Sequence, residues 1–203
     1  MESKSDIRRR MIALRSSISP EDHKTWSAAI ELHLYGLPQW ISAQSIMAYY
    51  AMPDEVSTLS ILEAALNAGK RLFLPRCIVQ QKVFEAVEVH DLSTDMCPGP
   101  LRGLMDPLPT LPPVSPEQRF DLVLAPGVAF SRNGIRLGFG AGMYDKFLAL
   151  HPDACRIALA FSQQVLDELP AEQHDAPMHA ILTEKKCLVP ATVYQHPVLT
   201  RHP

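Results

Sequence analysis

Ile7, Met11 and Leu14 recur at intervals of four and three residues, one apolar stripe of a helix running from about Ser3 to Ser16. Lys4, Arg8 and Arg15 fall within roughly 40° of one another at about 100° per residue, so a basic stripe runs beside the apolar one. Ser19-Pro20-Glu21-Asp22 predicts a second helix start, with Ser19 as N-cap and Pro20 at the first helical position. Trp26, Ala29, Ile30 and His33 mark its buried stripe, and Gly36 with Pro38 should end it. His33 on that stripe reads as a satisfied core histidine rather than a ligand.

Farther along, the period changes. Ile46 to Tyr50 forms an apolar strand candidate ended by Pro53, and Ser57 or Thr58 can cap the helix that follows. Leu59, Leu62, Ala65 and Leu66 supply that helix's apolar face, and Gly69 closes it. Leu72-Phe73-Leu74 is the next strand, closed by Pro75, so strand, helix and strand make a βαβ unit and hence a parallel pair. Val83–Val89 alternates as a β-segment. The prolines at 98, 100, 107, 109, 112, 113 and 116 forbid regular structure across 97–116, which reads as an ordered, semi-extended loop. Leu122–Ala125 is a buried strand cut off by Pro126-Gly127, a helix begins at about Met143, and Arg156–Ala160 is another buried strand. A turn-rich segment from Glu168, a short strand at Cys187–Val189 and a frayed tail at 195–203 complete the chain. The pattern predicts one α/β domain over 1–203, a three-layer sandwich with a mostly parallel central sheet.

Composition narrows the function classes. With 203 residues, 47% hydrophobic and 20% charged, the chain can bury a substantial core. A formal net charge of −3 argues against broad binding of nucleic acid or anionic membrane. Cys77, Cys97, Cys155 and Cys187 lie far apart, which suits reduced thiols rather than a zinc ribbon or a disulfide framework. No apolar run approaches the roughly 18 residues of a membrane span, so the expectation is a soluble, cytoplasmic protein.

The chemistry gathers after the strand at 122–125, where Gly134, Gly138, Gly140 and Gly142 lie among Arg132, Arg136, Asp145 and Lys146. Strand, glycine-rich loop with cations, then helix is an arrangement that cradles phosphates. The spacing matches neither the dinucleotide fingerprint nor the P-loop, so a turn required only by chain geometry fits the glycines equally well. Arg136 suits bidentate binding of phosphate oxygens. Asp145 suits a Mg²⁺ that bridges phosphates; alternatively it pairs with Arg136 or with the start of the helix. Glu55, at the carboxyl end of a strand, is either a ligand-facing acid or an acid favoured by a helix N-terminus. Asp175 is either a second metal-side carboxylate or a turn residue. His174 and His179 are five apart, outside helical metal spacing.

Several of these segments together resemble the 5-formyltetrahydrofolate cyclo-ligase family, also called methenyltetrahydrofolate synthetase. The resemblance runs from Lys4 to about Glu184. It is carried by Lys4-x-x-Ile7-Arg8, Glu55-Val56-x-Thr58, Leu74-Pro75-Arg76, Asp121 to Phe130, Gly134-x-Arg136-Leu137-Gly138-x-Gly140-x-Gly142-x-Tyr144-Asp145 and His174-Asp175. It implies ATP- and Mg²⁺-dependent closure of 5-formyltetrahydrofolate to 5,10-methenyltetrahydrofolate through a phosphorylated formyl group. It implies that Lys4, Arg8, Arg136, Leu137, Gly138, Phe139, Gly140, Ala141, Gly142 and Tyr144 bind ATP, with Arg136 catalytic. Glu55, Met143 and Tyr144 would bind the reduced folate, and Asp145 and Asp175 would hold Mg²⁺. A monomer or weak homodimer is expected. The chain departs from the family pattern at Met143, where a tyrosine is usual, at Ser131, at Asp106-Pro107 and at Lys146. Two other classes remain compatible with the residues: an ATP-dependent ligase or kinase for another small substrate, and a non-catalytic paralogue that binds folate or nucleotide.

Overall fold

The computed structural model describes residues 2–101, 103–172 and 175–190. Along the chain run α1 (Lys4–Ser16), α2 (Pro20–Tyr35), α3 (Pro38–Ser42), β1 (Ser45–Met47), α4 (Leu59–Asn67), β2 (Arg71–Ile78), β3 (Val83–Val89), β4 (Met96–Pro98), β5 (Met105–Pro107), β6 (Leu122–Ala125), β7 (Ala129–Ser131), β8 (Arg136–Leu137), α5 (Met143–Leu150), β9 (Cys155–Leu159), β10 (Val165–Leu166), β11 (Ala180–Leu182) and β12 (Cys187–Leu188). The central sheet has the order β12-β11-β9-β6-β1-β2-β3. It is parallel from β11 to β2 and closed at both edges by antiparallel strands.

Alternation along the buried strands divides the core. Ile46, Leu72, Leu122, Leu124, Ile157 and Leu182 pack on one face with Ile30 and Leu34 of α2 and Ile61 and Leu62 of α4. Met47, Phe73, Val123, Ala125, Ala158 and Ile181 pack on the other with Phe147 and Leu148 of α5. With both faces covered, the strands are apolar throughout, as a parallel sheet requires. The result is the expected three-layer α/β sandwich. α1 stands apart from both layers: Ile7 and Met11 bury against Val128, Ala129 and Leu137, near the small sheet β10-β7-β8.

Caps explain several boundaries. The Ser19 hydroxyl accepts the Asp22 N–H at 3.0 Å, so α2 starts where the sequence predicts. The His33 ring meets the Thr183 carbonyl at 2.8 Å, the satisfied histidine expected. Pro38, expected only as a terminator, begins α3 instead, because its fixed φ suits a first helical position.

Other expectations are corrected. β1 stops at Met47 rather than Tyr50. β2 runs on past Pro75 to Ile78, because β1 ends opposite Phe73 and leaves β2 one neighbour, β3, beyond that point. A strand with one free side accommodates a residue that has no N–H. The proline-rich segment is not wholly irregular: β4 and β5 pair antiparallel within it, and Pro113 bridges Val87. The small sheet β10-β7-β8 was not anticipated, its strands being two or three residues long. The expected tail at 195–203, and His174, lie outside the described residues. Among the described residues no helix is long and apolar enough to cross a membrane.

Gly134 turns the β7–β8 hairpin at φ +86°, and a Cβ there would lie 2.7 Å from the Met178 carbonyl oxygen. Gly134→Ala should therefore destabilise the fold by roughly 2 kcal/mol or more. Urea unfolding of the two proteins measures this directly, and an unchanged midpoint would contradict it.

Candidate active site

A cleft of about 270 Å³ opens where β1, β2 and β6 end, the carboxyl edge of the parallel strands. Tyr49, Tyr50, Met52 and Glu55 follow β1 into it. Pro75 and Cys77 come from β2, Phe84 from β3, Asp106 from β5 and Pro126 from the end of β6. The segment Gly138 to Asp145 supplies the facing wall, with Phe139 half exposed at 47%. Phe84 packs on Tyr144 and Phe147 with ring centroids 4.9 and 4.8 Å apart, making that wall aromatic.

Arg136 is the cation of the cleft. It lies on β8, opposite Phe130, and is only 6% exposed. Its Nη2 donates to Asp145 Oδ1 at 2.5 Å, its Nη1 donates to the Pro126 carbonyl at 3.3 Å, and its guanidinium stands 5.5 Å from the Tyr144 ring centroid. Its buried Nε has no partner. A Cβ at position 138 would come within 2.8 Å of Nη1, so glycine there makes room for the guanidinium. Gly140 and Gly142 adopt φ +106° and +68°, which few other residues accept, and Gly142 leads directly into α5.

Glu55 is the principal acid of the cleft, 4% exposed. Its Oε2 accepts the Met52 N–H at 3.0 Å, while Oε1 has no hydrogen-bond donor. Burial raises its pKa to about 6, against the partial pull of the Met52 N–H and Arg15. Burial likewise raises Asp106, whose Oδ2 accepts the Cys77 N–H at 2.8 Å, and pushes Cys77 up to about 11. The Tyr144 phenol is also held protonated by burial and then by the charge of Glu55, and its hydroxyl has no partner. Three buried polar atoms, Arg136 Nε, Glu55 Oε1 and the Tyr144 hydroxyl, are therefore unmatched in residues around one cavity. Such atoms cost roughly 1–3 kcal/mol each when left without partners, which is what a site built for a polar ligand displays.

The structure gathers Glu55, Arg136, Gly138, Phe139, Ala141, Gly142, Met143, Tyr144 and Asp145 around this cleft. Leu137 points instead into the apolar cluster under α1, so its main chain alone faces the loop. Lys4, Arg8 and Asp175 do not line the cavity. Arg8 braces the loop from behind, its Nε donating to the Gly138 carbonyl at 2.8 Å. Lys4 binds Glu172 at 3.0 Å and Asp175 at 3.2 Å, and Asp175 Oδ2 also accepts the Glu172 N–H at 2.8 Å. Of the alternatives open for Asp145, both pairing with Arg136 and a place in the first turn of α5 are seen in this structure. Among the described residues no group of three or more His, Cys, Asp or Glu is arranged to hold a metal.

Sequence reasoning missed Tyr49, Tyr50 and Phe84. The two tyrosines follow the carboxyl end of β1, so the rule that singled out Glu55 applied to them as well. Phe84 carried no comparable signal. Ser131, one departure from the family pattern, is buried, and its hydroxyl accepts the Ile135 N–H at 3.2 Å, so here it braces the β7–β8 turn. Lys146, another, donates to the Lys82 carbonyl at 3.2 Å.

Known proteins resemble this chain along most of its length. The model of the 5-formyltetrahydrofolate cyclo-ligase family matches residues 1–184. A 5-formyltetrahydrofolate cyclo-ligase of Mycolicibacterium smegmatis is 32% identical over 194 residues, covering 92% of this chain and 96% of the relative. One of Escherichia coli is 26% identical over 178 residues, covering 85% and 95%. The NMR structure of Aquifex aeolicus 5,10-methenyltetrahydrofolate synthetase matches with a TM-score of 0.78 at 29% identity, covering 92% of each chain.

The buried carboxyl of Glu55 carries a pH signature. Below its ordinary value of 4.5 it is protonated in both folded and unfolded chains; between 4.5 and about 6 the unfolded chain ionises first, so stability falls as pH rises. Above about 6 the loss is complete, on the order of 2 kcal/mol. Glu55→Gln removes the titration, so its stability relative to the parent should climb across that window. Urea unfolding at pH 4.5 and pH 7 reads the change, and a difference that does not vary with pH would refute it.

Proposed function

The chain belongs to the 5-formyltetrahydrofolate cyclo-ligase family, and from that premise we propose that it closes 5-formyltetrahydrofolate to 5,10-methenyltetrahydrofolate while converting ATP to ADP and phosphate. The observation that carries this reading is one apolar cleft with a buried cation at Arg136 and a buried acid at Glu55, each with an unmatched polar atom. A reduced folate offers a flat ring system for aromatic and thioether walls and N–H donors for a carboxylate. Phosphate oxygens suit a guanidinium.

In this reading Arg136 steadies the transferring phosphoryl group, and the backbone from Leu137 to Gly142 follows the nucleotide. Arg8 holds that backbone in place, and Tyr144 sits between the nucleotide and folate sides. Lys4 joins the phosphates on leaving Glu172 and Asp175. Met143 and Glu55 face the folate. The γ-phosphoryl passes to the formyl oxygen; the second folate nitrogen attacks the formyl carbon and gives up its proton, and phosphate leaves. The attacking atoms belong to the substrates, which suits a cleft whose lining thiol, Cys77, stays protonated.

Asp145 would hold Mg²⁺, which needs only one or two protein carboxylates when substrate phosphates and water supply its other ligands. Asp175 would be the second carboxylate, in place of its bond to Lys4. When bound, the ion neutralises phosphate charge. Until then Arg136 and Asp145 neutralise one another.

The test is to mix the protein with ATP, Mg²⁺ and 5-formyltetrahydrofolate and follow the near-ultraviolet absorbance of the methenyl product. Turnover is expected. ATP consumed only with another acceptor would favour a different ligase or kinase, and folate bound without product would favour a non-catalytic role. Arg136→Ala should lower kcat on the order of 10²–10³-fold, with circular dichroism reporting the fold; unchanged kinetics would remove Arg136 from phosphate stabilisation.

A further inference from the structure

Arg15 shares α1 with Lys4 and Arg8, yet its side chain goes elsewhere. The residue is 3% exposed. Its Nε donates to Asp54 Oδ2 at 2.9 Å, and its Nη2 approaches the same oxygen at 2.8 Å. Nη1 lies 3.6 Å from Glu55 Oε1, near enough for charge attraction but outside hydrogen-bond reach. One buried cation is thus bonded to one acid and set beside another.

The other contacts of Glu55 show what this accomplishes. Oε2 is fixed by the Met52 N–H, and the main-chain carbonyl meets His23 Nε2 at 2.6 Å. Oε1 alone is left without a donor, on a residue that lines the cleft. Were Arg15 to bond Oε1 directly, it would occupy one of that oxygen's lone pairs; were Arg15 absent, burial would favour the neutral carboxyl. Asp54 takes the guanidinium's bonds and leaves its charge to act on Glu55.

We infer that Arg15 is a positioning residue that holds the Glu55 carboxylate ionised and leaves Oε1 without a bonded donor, a place for an N–H of the bound substrate to fill. The inference rests on the reading that this cleft takes a reduced folate. The groups that face Glu55 are Arg15 from α1, His23 from α2, Asp54 from its own turn, Tyr49 beyond β1 and Tyr144 from α5. Arg15 favours the carboxylate, whereas Asp54 and burial oppose it.

Arg15→Gln keeps a donor for Asp54 and removes the charge; Arg15→Lys restores it. Steady-state kinetics with each substrate, the pH profile of kcat/KM for 5-formyltetrahydrofolate, and carboxyl NMR of Glu55 without substrates provide the readouts. The glutamine variant should raise KM for the folate about twofold at neutral pH, approaching tenfold below about pH 6, where the parent carboxyl itself titrates, and that for ATP far less. Its acid limb and its Glu55 titration should both move up by about one pH unit, a tenfold change in the protonation equilibrium. The lysine variant should return both towards the parent. An unmoved Glu55 titration, equal rises in both KM values, or a lysine variant shifted as far as glutamine would each overturn the inference. If the parent makes no product, the folate reading fails, and the substrate-free titration still decides whether Arg15 sets the ionisation of Glu55.

Discussion

A guanidinium buried to 6% exposure is costly unless charge and hydrogen bonds meet it, and the site is arranged around meeting that demand at Arg136. The carbonyl of Pro126 comes from the end of β6, the carboxylate of Asp145 and the ring of Tyr144 from α5. One side chain therefore ties a central strand, the small sheet and the helix that closes the glycine-rich loop. Removing one partner of a buried pair typically costs about 3–5 kcal/mol, more than any surface ion pair returns. The glycine at position 138 belongs to the same constraint, because a side chain there would occupy the guanidinium's space. Loop and cation are parts of one device.

Around it the cleft is poorly solvated. Glu55, Asp106, Cys77 and Tyr144 all shift in the direction burial dictates, towards their neutral forms. A site of low polarity strengthens the few charges it keeps. The parallel sheet explains why the walls converge. Strands buried on both faces end along a common edge, and their polar continuations must turn outward there.

Much of this architecture was legible in sequence. The strand at Leu122–Ala125, the segment Val83–Val89, the Ser19 cap and the start of α5 at Met143 fall where periodicity and capping chemistry put them. What escaped were strands too short for any period to register, β7, β8 and β10 among them. That omission had a consequence at the site. Without β8 as a strand, nothing in the sequence said that Arg136 and Leu137 face opposite ways, one into the cleft and the other into the cluster under α1. The bond from Arg15 to Asp54 also escaped, because an ion pair across 39 positions leaves no local trace. The pairing of Arg136 with Asp145, nine residues apart, was foreseen as one of three alternatives.

The placement of α1 has a consequence in time. Its contacts lie far along the chain: Arg8 reaches the carbonyl of Gly138 across 130 positions and Lys4 reaches Asp175 across 171. At ribosomal rates of about 5–20 residues per second, Lys4 waits on the order of ten to thirty seconds for its partner to be synthesised. Until then the helix made first has no surface to dock on, and its apolar stripe is open to solvent or to a chaperone. The helix is thus made long before the surface it packs against and docks only once most of the chain has been synthesised.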